Sequence, residues 1–146
     1  SLAIEIKLAA HQPREAVQEA DAARAQFPIS RGIALQYADA LYAAGRYDDA
    51  VTYLRDQTQL YRQEPQLYER LAKVYAALKM QAQQHLALAE SYALNGSLSA
   101  ALDQLSIARK APDASFYDQS IIDAREREIK AQRLEEIRQE KEGYTG

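Results

Sequence analysis

Cysteine is absent from this 146-residue chain. That removes disulfides, thiolate nucleophiles and cysteine-based zinc sites together, and it leaves the redox compartment open. Histidine is scarce: His11 and His85 are the only two. A zinc-binding H-E-x-x-H helix needs two histidines at i and i+4 with a glutamate after the first, and neither histidine here has either companion. Glu90 follows His85 by five residues, which is about 500° of helix rotation and therefore another face. There is no G-x-S-x-G elbow and no phosphate-cradling glycine loop, so no catalytic, cofactor-binding or metal-binding residue is predicted. A basic excess is missing as well. The formal net charge of -3 lacks the electrostatic footprint of a nucleic-acid binder. No run approaches the roughly 18 apolar residues of a membrane span.

Breakers are few, with five glycines and four prolines, while hydrophobic residues make up 47%. Such a composition leans to helix and can bury a sizeable core. Helices are predicted at about 2–11, 14–26, 31–44, 47–62, 66–78, 82–95, 98–110 and 115–141. Pro13, Pro65 and Pro112 fall near helix starts or breaks, where a missing N–H costs little. Ser97 is placed to N-cap the helix at 98–110. The chain opens inside a helical pattern, "SLAIEIKLAA", and reads as an excised piece of a longer protein.

Two segments align without gaps, "YADALYAAGRYDDAVTYL" (37–54) and "LAESYALNGSLSAALDQL" (88–105). Each has a small residue (Ala38, Ala89), an apolar residue three later (Leu41, Tyr92), a glycine (Gly45, Gly96) and a second alanine (Ala50, Ala101). Glycine there supplies a left-handed helix stop, and the paired alanines let two helices approach closely. Ala16 to Ala50, Ala38 to Ala72 and Tyr37 to Leu71 are each 34 residues apart. Pro28 falls where the first unit ends. The pattern resembles the tetratricopeptide repeat, two helices per 34-residue unit. The resemblance implies an all-α, tetratricopeptide-like α-solenoid of about eight antiparallel helices in a right-handed superhelix. A single repeat domain is expected over 1–146, with units at about 1–30, 31–64, 65–97 and 98–141.

The third unit departs from the pattern. Gly45 to Gly96 is 51 residues, one and a half repeats. Where the frame asks for glycine the sequence has Lys79, and where it asks for alanine it has Gln84. The next helix restarts the motif, a half-repeat displacement. In the last segment, Arg125 to Glu142 is mostly charged, with Ile129, Leu134 and Ile137 as its large apolar residues. This predicts a long charged capping helix whose first half (Phe116, Tyr117, Ile121, Ile122) covers the end of the array. Its second half is expected to project or fray, ending at Gly143.

Tyr37, Tyr47, Tyr68, Tyr75 and Tyr92 fall at repeat core positions, which makes packing their expected role. Tyr42 falls instead on the first-helix face that lines the concave groove in this family, together with Leu35, Gln36, Asp39, Glu69, Lys73 and Ala76. Tyrosine suits a contact because it offers large area with few rotatable bonds. Repeats that grip C-terminal carboxylates carry paired Lys and Asn there. With Leu35, Asp39, Glu69 and Lys73 in those places, that clamp is not supported.

A narrower resemblance concerns residues 85–129, "HLALAESYALNGSLSAALDQLSIARKAPDASFYDQSIIDAREREI". This stretch is similar to the end of bacterial M48-family metalloproteases that carry tetratricopeptide repeats, proteins like the periplasmic β-barrel assembly-enhancing protease. The matching residues are Phe116, Tyr117, Ser120, Asp123, Ala124, Arg125, Arg127 and Glu128. The resemblance implies a periplasmic location and a zinc protease domain outside this segment, zinc being expected there alone. It also implies protein or peptide partners, either β-barrel assembly machinery or unfolded outer-membrane proteins; the lack of catalytic motifs leads to the expectation of no enzymatic activity in the segment itself. A stand-alone repeat adaptor without a protease is the alternative. An enzyme with a site that no motif reveals is the remaining class.

Overall fold

The structure, a computed structural model, describes residues 4, 12–26 and 31–145. The helix expected at 2–11 lies outside the described residues except for Ile4, which is helical and fully buried. His11 and Pro28 also lie outside them. The described residues form seven helices and no strand: α1 (Pro13–Gln26), α2 (Arg31–Ala43), α3 (Tyr47–Leu60), α4 (Pro65–Ala77), α5 (Gln81–Leu94), α6 (Leu98–Lys110) and α7 (Phe116–Thr145). Each helix packs on the next, α2 also touches α4, and α5 also touches α7. This is an all-α, tetratricopeptide-like α-solenoid.

The alanines behave as their spacing predicts. Ala16, Ala50, Ala89 and Ala101 are fully buried, and Ala38 and Ala72 nearly so. Without a side chain beyond Cβ at these points, neighbouring helices close to contact. α4 shows how the rest follows from sequence. Leu67, Leu71, Val74 and Tyr75 recur at i, i+4, i+7 and i+8 and are all buried, whereas Glu69, Lys73 and Ala76 face out.

Three turns share one geometry. Gly45 and Gly96 have φ of +74° and +82°, and Lys79 takes φ +59°. In each, the N–H of the left-handed residue bonds the carbonyl three back (to Tyr42, Ala76 and Ala93, at 3.0, 3.1 and 3.1 Å). The following N–H bonds the carbonyl five back (to Leu41, Tyr75 and Tyr92, each 2.9 Å). These are Schellman stops. The missing glycine at 79 therefore did not abolish the turn; lysine was driven into the left-handed region. Ser97 occupies the N-cap of α6, but its hydroxyl caps nothing: its φ of -88° and ψ of 69° are set by the stop just before it.

The core is built in two parts that meet in α5. One cluster runs from Ile4 through α4 to Ala87, and the other from Ala89 through α6 to Ile122 and Ile129. Ala87 and Ala89 are about 200° apart on the helix, so they serve opposite neighbours. α5 is thus the second helix of one hairpin and the first of the next, which is the physical content of the half-repeat displacement.

The capping helix differs from expectation in detail. Ile122 and Ile129 are fully buried, but Phe116 is 91% exposed, Tyr117 73% and Ile121 39%. They do not cover the array, because α7 meets α5 and α6 through Ile122, Ile129 and ion pairs instead. The helix does not stop at Gly143 either, continuing to Thr145. Every residue from 130 to 143 is exposed, and Arg138 pairs with Glu135 and Glu142 along that overhang.

Candidate protein-binding site

α2 and α4 lie side by side, and the outward faces of both helices wall an open groove of about 600 Å³ lined by Asp39, Tyr42, Ala43, Glu69, Arg70 and Lys73. Asp39 is held in a bidentate pair with Arg70, Nε to Oδ1 at 2.9 Å and Nη2 to Oδ2 at 3.2 Å. The planar fork fixes both side chains across the helix boundary. The Tyr42 ring leans on Tyr47, centroids 5.4 Å apart, and the Lys73 ammonium stands 4.4 Å from the Tyr42 centroid. That contact combines cation–π attraction with cover for the ring face. Glu69 reaches the other way, accepting a long 3.4 Å hydrogen bond from Ser91 Oγ on α5.

Of the seven residues singled out from the sequence, Asp39, Tyr42, Glu69 and Lys73 come together in this groove. Leu35 lines a separate small cleft with Tyr61 and Leu67. Gln36 is half-buried on α2 and Ala76 exposed on α4, and neither lines the groove. Arg70 was not among the seven. The signal that could have found it is its place beside Glu69 on α4, opposite an acidic residue one repeat earlier.

The core tyrosines divide. Tyr75 is buried, and Tyr37, Tyr47 and Tyr68 are half-buried; the Tyr37 and Tyr53 rings meet edge-on at 4.6 Å. Tyr92 is not a core residue, being 38% exposed. It lies about 200° round α5 from Glu90, which faces α7, so that helix cannot cover it. Burial raises the Tyr68 phenol above its ordinary value, with the Glu90 carboxylate adding to the effect. Burial also raises Tyr75, against an opposing pull from Arg55. Both stay neutral donors at physiological pH.

Residues 7–74 match the tetratricopeptide repeat family model. The match supports a tetratricopeptide-repeat domain, and every residue of the α2/α4 groove falls inside the matched span. Tetratricopeptide repeats mediate protein–protein interaction. No curated protein matches the chain. No helix among the described residues is long and apolar enough to cross a membrane.

His85 and Glu90, five residues apart on α5, go separate ways. His85 Nδ1 meets Gln104 Oε1 of α6 at 2.7 Å. Glu90 receives Arg125 of α7 at 2.6 and 3.0 Å. Arg125 also pairs with Glu128, and Arg109 of α6 pairs with Asp123 and Glu126. The terminal charged motif therefore staples α7 to α5 and α6. Sequence inspection missed the pairs between helices because their partners lie 14 to 35 residues away.

Proposed function

We propose that this chain is the protein-binding repeat domain of a periplasmic M48-type zinc metalloprotease and has no catalytic residue of its own. In this reading the α2/α4 groove docks protease substrates or components of the outer-membrane β-barrel assembly machinery. The observation that carries the binding role is the groove's composition: a half-buried tyrosine ring, a guanidinium and an ammonium held in fixed positions by neighbours. Tyrosine and arginine are the residue types that dominate binding energy in protein interfaces, and groups already held in place lose little freedom on binding. The protease context is supported by the similarity of residues 85–129 to the ends of such proteases.

Binding of a transient partner in such a groove is expected near the micromolar range, roughly -8 kcal/mol. The test is capture of an unfolded outer-membrane β-barrel protein, diluted from denaturant over the immobilised chain. The double variant Tyr42→Ala, Asp39→Lys should weaken capture at least tenfold with helicity unchanged. Equal capture by both proteins would remove the groove from the mechanism. An H-E-x-x-H helix encoded upstream of Ser1 is expected from the protease reading and would be missing for a stand-alone adaptor.

A further inference from the structure

On the opposite side of α4 lies a second groove. Tyr68, Leu71 and Tyr75 of α4 face it, about 180° round the helix from Glu69, Arg70 and Lys73. It holds about 530 Å³ between α3 and α5. No contact closes α3 onto α5, so the tyrosines of α4 form its floor. Its far wall is the start of α7, where Tyr117 and Ile121 line it beside Met80 of the α4–α5 turn. Tyr117, Ile121 and Met80 are all exposed, large apolar side chains together at this groove that belong to neither buried cluster of the core. Such a patch adjoining a cleft marks an interaction surface.

The charges around it are one-sided in what they leave unsatisfied. The groove's two carboxylates are already engaged. Glu90 is held by Arg125, and Asp118 accepts from Gln83 Nε2 at 2.8 Å and from the Ser115 N–H at 2.9 Å. The cations are not. Arg55 lines the groove, and Arg62, outside that lining, follows two residues after the end of α3. Both are exposed, and neither guanidinium has an ion-pair or hydrogen-bond partner among the described residues. An occupant must therefore bring a carboxylate to Arg55, with Arg62 as a further exposed cation beyond the groove's lining, and apolar side chains to Met80, Tyr117 and Ile121.

We propose that the groove between α3 and α5, walled by the start of α7, docks an acidic partner segment bearing aliphatic or aromatic side chains. The tyrosine hydroxyls on its floor add hydrogen bonds to the segment's backbone or carboxylates. This surface is separate from the α2/α4 groove, so the chain can engage two partners, or two parts of one, at once.

The experiment is a random-peptide display selection on the immobilised full chain, with selected sequences resynthesised and measured by fluorescence anisotropy. Selected peptides should combine Asp or Glu with Leu, Ile, Phe or Trp. They should bind Arg55→Glu, Arg62→Glu at least tenfold more weakly, and Ile121→Glu likewise, while Tyr42→Ala leaves them unchanged. Both arginines are exposed, and Arg55→Gln, Arg62→Gln removes the charges without adding repulsion, so retained helicity with lost binding is a clean result. The proposal is overturned if no acidic, apolar-bearing peptide is selected, or if these variants bind as the parent does. Concentration-dependent dimerisation that Ile121→Glu abolishes would also overturn it, assigning the patch to a second copy of the chain.

Discussion

Lys79 shows what one residue can be made to do. Its left-handed backbone is strained for any residue with a Cβ, yet it forms the same pair of turn hydrogen bonds as Gly45 and Gly96. The packing of α4 on α5 dictates the turn, and lysine conforms at a cost of about 1 kcal/mol. Lys79→Gly should therefore raise stability by about 1 kcal/mol, seen as a higher urea midpoint with an unchanged slope. Ala50 is the converse case. It is fully buried between helices, so Ala50→Leu should cost about 1–3 kcal/mol through overpacking. An unmoved thermal midpoint would mean that the helices do not close at that position.

At the scale of elements, α5 is the shared component. It is tied to α7 by two ladder rungs, Gln83 to Asp118 and Glu90 to Arg125, each spanning 35 residues, so the two helices run parallel. A further tie comes from the α6–α7 loop, where Asp113 accepts the Gln81 and Ala82 N–H groups at 2.8 and 2.9 Å. This caps the start of α5 from 31 residues away. Ser115 and Asp118 cap α7 reciprocally, each side chain taking the other's N–H. A double-mutant cycle of Glu90→Gln and Arg125→Met should give a coupling of about 1 kcal/mol, since the pair is largely but not fully shielded from water. Additive single effects would mean that the Glu90–Arg125 pair does not help to hold α7.

For the whole molecule, the buried core ends at Ile129 while α7 runs on for more than four turns, every described side chain beyond it exposed. Deleting residues 131–146 should change stability by less than about 0.5 kcal/mol, measured in urea, and should leave capture by either groove unaltered. Loss of folding would mean that the overhang packs where it is exposed here. Sequence alone determined the helices, because the 34-residue spacing of Ala16, Ala38, Ala50 and Ala72 and the amphipathic period of α4 are local and repeated. It also determined the outward positions of Asp39, Tyr42, Glu69 and Lys73, since a helix face follows from residue spacing. Only the tertiary structure decided that Arg70 completes the α2/α4 groove, that Phe116 and Tyr117 stay exposed, and that Lys79 takes a glycine's conformation. These depend on which helices meet across 31 to 35 residues of chain, and on packing energies large enough to override the preference of a single residue.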